Sequence, residues 1–229
     1  MTDAQPVTTQ PLPDARHTLP QRLTAEGVGT FLLVTSALLA PAGTTFALVG
    51  LTLAVMVIAI GKVSGAQLNP GVTTALIAAR QFPLGEGLAY MGAQVVGAVL
   101  GMLLGTAMLR TLGHPAGALS PHAGYFVAEL LGTATLAFTV VRVVVGGVTD
   151  AAAGLAIGLA LAISLGLSGA FSGGVLNPAI ALSLIFGGLL SAGQGLLYLL
   201  APLLGGALAG LLARFLSSPG ELRVPPGRQ

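Results

Sequence analysis

The chain has 229 residues, of which 54% are hydrophobic and 7% charged, and its mean hydropathy is +0.92. These values lie outside the range of soluble domains and are typical of integral membrane proteins. Nine basic and seven acidic side chains give a net charge of only +2, which does not indicate a nucleic-acid-binding protein. The chain has no cysteine, which excludes disulfides and thiolate metal sites.

The apolar runs are long enough for several membrane helices. No formally charged side chain lies between Glu26 and Lys62, or between Asp150 and Arg214. A membrane-spanning helix needs about 20 such residues, and the runs lack the alternation of a β-barrel. The sequence therefore predicts an all-α membrane protein with six spans, near residues 22–40, 46–62, 86–110, 121–144, 151–168 and 192–216.

Both ends of the chain are polar. Residues 1–21 are rich in Pro, Gln and Thr and lack the apolar core of a signal peptide, so we expect a disordered cytoplasmic tail there. We expect a second tail over residues 218–229.

Two further apolar segments, 69–80 and 177–187, are too short to cross about 30 Å of hydrocarbon at about 1.5 Å per residue. They open with Asn69-Pro70-Gly71 and Asn177-Pro178-Ala179. Asn is a preferred N-cap and Pro is favoured at the first helical position, so each triplet predicts the start of a half-length helix.

The two halves of the sequence repeat each other. AEGVGTFLLV from Ala25 matches AELLGTATLA from Ala128, and SGAQLNPGVTTAL matches SGGVLNPAIALSL. Each predicted repeat, 22–113 and 114–217, holds three spans and one short segment, and an odd number of spans inverts the second copy in the membrane. Short broken segments in an inverted repeat indicate a translocation site near the bilayer midplane.

The predicted half-helices would meet there with the positive ends of their dipoles, which repel cations and leave the Asn amides to donate to neutral solutes. Glu26 and Glu129 occupy equivalent repeat positions and are candidates for accepting hydrogen bonds from the non-helical loops before each half-helix. Their use as proton-coupling residues of a pump is the alternative. Gly97, Gly101 and Gly105, and likewise Gly206 and Gly210, predict close packing of helices.

The positive charges predict the orientation. If both termini are cytoplasmic, eight of the nine Lys and Arg residues lie inside and only Arg110 lies outside. We therefore expect a multi-pass protein of a cytoplasmic-type membrane with its N- and C-termini inside.

At these residues the sequence resembles the aquaporin and aquaglyceroporin family, also called the major intrinsic proteins. The similar stretches lie between about residues 22 and 216 and include AExxGTF, AQxxGA and AExxGT. SGAQLNPGVT is similar to the family's SGAHLNPAVT, and SGGVLNPAIA to a pattern that usually contains NPAR. The resemblance implies six tilted helices, two re-entrant half-helices, a pore in every subunit, and a homotetramer in the lipid bilayer.

Two departures from the family pattern concern the pore. Gly71 replaces an Ala, which removes a methyl group and places a poor helix former in a first turn; we expect a modest effect. Ile180 stands at the position of the family's selectivity-filter Arg, and the other positions that align with the filter are Val49, Leu165 and Gly174. These four residues carry no charge or aromatic ring, so they predict an apolar collar around the pore.

The sequence thus predicts a passive channel for water or small neutral solutes, without a cofactor or metal and without enzymatic activity. It leaves open which solutes pass: water and glycerol-like polyols, or gases, ammonia, peroxide, weak acids and metalloid hydroxides. A non-conducting scaffold with a closed collar, and an ion-coupled secondary transporter, are the alternatives.

Overall fold

The computed structural model describes residues 17–222, and this range forms eight α-helices and no strand. Six of these helices are long and apolar enough to span a membrane, and two have nine residues each. The prediction of an all-α protein with six spans and two half-helices is confirmed. The helices are α1 (Leu19–Leu39), α2 (Thr45–Ser64), α3 (Pro70–Ala78), α4 (Leu84–Thr111), α5 (Tyr125–Val145), α6 (Asp150–Ser172), α7 (Pro178–Phe186) and α8 (Ala192–Phe215).

The ends of α1 and α8 differ slightly from the predicted limits. Residues 19–21, expected in the N-terminal tail, form the first turn of α1, where Gln21 Oε1 accepts from the Thr18 backbone N–H at 2.8 Å. After α8, residues 219–222 form a turn that was expected to be part of the C-terminal tail. The rest of the two predicted tails, 1–16 and 223–229, lies outside the described residues.

Two predicted boundaries are wrong by four residues: α5 begins at Tyr125 and not at residue 121, and α6 continues to Ser172 and does not end near residue 168. The Gly residues near the end of α6 suggested a break. Ser164, Ser168 and Ser172 instead donate their hydroxyl hydrogens to carbonyl oxygens four residues earlier, at 2.8, 2.7 and 3.1 Å. The polar groups are therefore satisfied within the helix, which ends only where Gly173 takes a φ of +77°.

The two repeats interlock. Within each repeat the first and third long helices pack together, α1 on α4 and α5 on α8. The half-helices cross over: α3 packs extensively on α8, and α7 packs on α4. Helices α2 and α6 join the repeats through a further large contact. Neither half-helix is therefore supported by its own repeat alone.

Glycines permit the close helix contacts, as the small-residue ridges predicted. A Cβ added at Gly97 would overlap the carbonyl of Gly27 in α1, and one added at Gly206 would overlap the carbonyl of Gly71 in α3. These pairs bring helix backbones into direct contact, which increases dispersion contacts where lipid gives no hydrophobic driving force. The outer surface of the bundle exposes many Leu, Val and Phe side chains, as expected for contact with lipid or other subunits.

Candidate functional site

The two half-helices begin next to each other at Asn69 and Asn177. Each Asn is an N-cap, with its Oδ1 accepting from the N–H of Gly71 at 2.7 Å or of Ala179 at 3.0 Å. Each amide nitrogen donates across the junction: Asn69 Nδ2 to Leu176 O, and Asn177 Nδ2 to the carbonyl of the other loop, both at 2.9 Å. An amide nitrogen carries two hydrogens, so one on each Asn remains for a solute.

The loops that precede the half-helices are held in unusual backbone conformations. Leu68 and Leu176 have φ values of 52° and 51°, which L-residues adopt rarely. Both side chains are fully buried, and they fill the space beside Gly29 and Gly132, where a Cβ would collide with them. Packing therefore holds each Leu in the conformation that points its carbonyl at the opposite Asn.

Buried carboxylates bind the backbone of both loops. Glu26 accepts from the N–H groups of Gln67 at 3.0 Å and Leu68 at 2.8 Å, and Glu129 accepts from those of Val175 at 2.9 Å and Leu176 at 2.5 Å. Backbone donors left unpaired at membrane depth would cost several kcal/mol, and these carboxylates satisfy them. The two acids are thus part of the support of the loops.

The support differs between the repeats beyond the carboxylates. Tyr90 and Tyr198 are equivalent, and each donates its hydroxyl hydrogen to the carbonyl of the last residue of the helix before the loop, Ser64 at 3.0 Å or Ser172 at 2.6 Å. Gln94, however, corresponds to Pro202, and its Nε2 donates to Glu26 at 2.8 Å and to Thr73 Oγ1 at 3.2 Å. The first loop therefore has the more extensive hydrogen-bond network.

Gly71 has a larger effect on helix packing than the modest one that the sequence suggested for the loss of one methyl group. A Cβ at Gly71 would lie 2.8 Å from Thr133 Cγ2 and 3.0 Å from Pro202 O, too close for either to remain in place. On the other half-helix, Ala179 is fully buried without such a conflict. Helix α8 approaches α3 closely because both Gly71 and Gly206 lack side chains.

A cavity of about 630 Å³ leads to the Asn pair. We call it the large cavity. Loop residues such as Pro115 and Leu189 line one part of it, and Asn69 and Asn177 line another. All four residues of the collar lie on its wall: Val49, Leu165, Gly174 and Ile180.

The collar does not divide the large cavity, whose wall includes residues on both sides of it. Gly174 has a φ of +69°, and Leu165 Cδ2 lies where a Cβ would contact it at 3.0 Å, so this part of the wall is backbone covered by a leucine. The sequence could not show how Leu165 covers Gly174, because that depends on side-chain positions.

A second cavity of about 60 Å³, the small cavity, lies on the other side of the Asn pair. Its wall is mostly apolar, and includes Leu76, Phe82 and Ile157; Lys62 and Asp150, which pair at 2.9 Å, are also on it. The walls of the two cavities have one residue in common, Gln67. The sequence reasoning overlooked Gln67, although its segment differs there from the family's SGAHLNPAVT as well as at Gly71.

Comparison with known proteins agrees with this architecture. A profile of the family described as major intrinsic protein matches residues 15–212. The chain is 32% identical over 209 residues to the glycerol uptake facilitator protein-like 6 of Lactiplantibacillus plantarum, covering 85% of this chain and 97% of that protein. It is 31% identical over 246 aligned positions to the probable aquaporin AqpM of Archaeoglobus fulgidus, covering 87% and 98%.

Among solved structures, the fold is similar to the X-ray structure of the aquaglyceroporin from Plasmodium falciparum. The TM-score is 0.71 at 21% sequence identity, covering 87% of this chain and 97% of the other. This likeness supports the fold.

Proposed function

The chain belongs to the major intrinsic proteins, a family of membrane channels and not of enzymes, and we propose that it conducts small neutral solutes past the apolar collar. The observation that carries the proposal is the large cavity, which continues from the loops past Val49, Leu165 and Ile180 to the free amide hydrogens of Asn69 and Asn177. A solute that passes the collar therefore reaches hydrogen-bond donors.

The chemistry of the collar favours solutes that lose little hydration. Val, Leu and Ile offer no donor or acceptor, so each hydrogen bond to water that a solute gives up there is not replaced. Dissolved gases, ammonia and undissociated weak acids meet this condition better than polyols do. Peroxide and metalloid hydroxides carry several O–H groups, as polyols do, and stay candidates as small neutral solutes. Water and glycerol stay candidates because relatives are named aquaporins and a glycerol uptake facilitator-like protein.

Charged solutes are excluded by the half-helices in this proposal. Both α3 and α7 direct their N-termini, the positive ends of their dipoles, at the junction where Asn69 and Asn177 meet. The Arg that supplies a fixed positive charge in the family's filter is replaced by Ile180, so the dipoles act alone. Pronounced cation conductance in planar bilayers would contradict this part of the proposal.

The chain is a multi-pass membrane protein, and we propose for it the orientation and assembly that the sequence indicates. Both termini lie in the cytoplasm of a cytoplasmic-type membrane, so that the large cavity opens outward. Four copies form a homotetramer. Support comes from two apolar grooves on the outer surface, one between α1 and α2 and one between α5 and α6, which a ring of identical subunits would bring together.

The test is stopped-flow permeability of proteoliposomes to water, glycerol and ammonia, with Ile180→Arg and Ile180→Met compared with the unaltered protein. The Arg variant adds a charge and five donors to the collar, whereas the Met variant keeps it apolar. We expect the Arg substitution to change the water-to-glycerol permeability ratio about tenfold, since a hydrogen bond to a charged group contributes about 1.5 kcal/mol. The Met variant should keep the ratio of the unaltered protein.

Two results would contradict the proposal. Vesicles that pass no test solute faster than empty vesicles would indicate a non-conducting scaffold, the alternative favoured by the small size of the second cavity. Saturable uptake that depends on an ion gradient would indicate a coupled transporter. Against that second alternative, Glu26 and Glu129 are already occupied by loop N–H groups.

A further inference from the structure

Gln67 lies where the large and small cavities adjoin. It is the residue that their walls share, so its side chain lies beside the path of a solute that moves from the Asn pair toward the small cavity. The neighbouring wall of the small cavity is largely aliphatic or aromatic, with Leu76, Phe82 and Val140 among its residues. The amide of Gln67 is thus a polar group at the entrance of a narrow apolar passage.

Gln67 is 5% exposed, and its Oε1 is buried without a hydrogen-bond partner. Buried polar atoms are nearly always paired, and one that is left unpaired destabilises the folded protein. A hydrophobic side chain of the same length would avoid that cost. Because Gln67 also lies on the walls of both cavities, a solute in the pore is the partner that this oxygen can bind.

The backbone around Gln67 is fixed. Its N–H donates to Glu26 at 3.0 Å, and the residues on either side, Ala66 and Leu68, have φ values of 46° and 52° and are buried. The side chain cannot leave the passage by a swing of the loop without breaking this network.

Among the polar side chains on the cavity walls, the Asn pair has no free acceptor. Gln94 Oε1 is also unpaired, but Gln94 lies on the wall of neither cavity. The Oδ1 atoms of Asn69 and Asn177 accept from Gly71 and Ala179. The Asn pair therefore offers donors, and Gln67 Oε1 adds an acceptor that is not used within the protein.

We propose that Gln67 determines specificity in the half of the pore that leads to the small cavity, by accepting a hydrogen bond from neutral solutes that carry an N–H or O–H group. The inference rests on the proposed channel function and sharpens its substrate class. A solute with both a donor and an acceptor first meets the donors of the Asn pair and then the acceptor of Gln67. Solutes with only an acceptor gain nothing from Gln67 Oε1.

Acetamide and dimethyl sulfoxide test this, because both are neutral and have four non-hydrogen atoms, but only acetamide carries N–H donors. We would measure the permeability ratio of acetamide to dimethyl sulfoxide in proteoliposomes of the full chain. The variants are Gln67→Met and Gln67→Leu, which remove the acceptor, and Gln67→His, which keeps one. Leu104→Met, on an exposed part of α4, is the control for handling and reconstitution.

We expect the ratio to fall about fivefold in the Met and Leu variants, which corresponds to a net hydrogen-bond free energy of about 1 kcal/mol. The His variant and the Leu104 control should stay near the unaltered ratio. Neither apolar variant should melt at a lower temperature than the unaltered protein, because no partner of Oε1 is lost.

An unchanged ratio in the apolar variants of a conducting protein would overturn the inference and leave the channel function standing. A loss of permeability that is equal for both solutes would overturn it as well. If the unaltered protein passes no test solute faster than empty vesicles, the proposed function itself fails. The apolar variants can each be scored alone, so misfolding of one leaves the test intact.

Discussion

Replacing Glu26 by Gln should destabilise the protein more than the same change at Glu129, although the two acids are equivalent in the repeat. Glu26 Oε1 accepts from Ser64 Oγ at 2.6 Å and Gln67 N at 3.0 Å, and Oε2 accepts from Leu68 N and Gln94 Nε2, both at 2.8 Å. Each oxygen thus has two donors. Whichever way a Gln amide turns, its NH₂ group faces one backbone and one side-chain donor.

The magnitude follows from the groups left unpaired. A buried N–H without a partner costs about 1–3 kcal/mol, and a lost side-chain hydrogen bond about 1 kcal/mol, so we expect a loss of about 2–4 kcal/mol for Glu26→Gln. Glu129 accepts one loop N–H on each oxygen, from Val175 and Leu176. Its Gln variant leaves one N–H unpaired, for a loss of about 1–3 kcal/mol.

Thermal unfolding followed by circular dichroism checks the ranking, since the chain has no tryptophan to report by fluorescence. Both variants should be purified in the same detergent and compared in one scan series with the unaltered protein. A midpoint for Glu129→Gln equal to or below that of Glu26→Gln would refute the argument that stability depends on the number of donors on each carboxylate.

The fold was largely predictable because its strongest signals are local. Two uncharged runs and the repeated segments gave the six spans, and the Asn-Pro pairs marked both half-helices to within two residues of their observed ends. These features depend on hydrophobicity, capping and the length needed to cross a bilayer, each of which is visible in a short stretch of sequence.

The contacts between the repeats could not be read in the same way. Gly71 was a departure from a motif, and its reason lies far along the chain, in the Thr133 side chain of α5 and in the backbone of α8 at Pro202 and Gly206. The sequence held both glycines but not the fact that they face each other. Whether the backbones of α3 and α8 can approach closely depends on the two glycines together.

Gln67 was missed for a different reason. The motif comparison drew attention to Gly71 and Ile180, which stand beside or within the Asn-Pro triplets, and Gln67 precedes its triplet in a loop of uncommon backbone geometry. Whether such a side chain enters the pore depends on the left-handed residues around it. The sequence shows Gln67 as a polar residue before the triplet, but not the unpaired state of its Oε1.

Two further predictions concern packing and pH. Gly71→Ala should lower the free energy of unfolding by about 1–3 kcal/mol, because the added methyl overlaps Thr133. Gly92→Ala should raise it by about 0.5–1 kcal/mol, because a Cβ at Gly92 would lie in open space. Circular dichroism melts that show the reverse order would contradict the packing argument. Hydrogen bonds from Ser218 and the guanidinium of Arg142 lower the pKa of the Glu221 carboxyl below its ordinary value. A carboxyl with a lowered pKa in the folded protein stabilises it at pH values above the unfolded pKa, and this contribution is lost as the pH falls through the folded pKa. The turn after α8 should therefore be protected from hydrogen exchange at neutral pH and lose protection in acid. The Glu221→Gln variant should show the acid level of protection at both pH values. Protection that is independent of pH in the unaltered protein would rule out the ionised Glu221 as the group that holds this turn against Arg142.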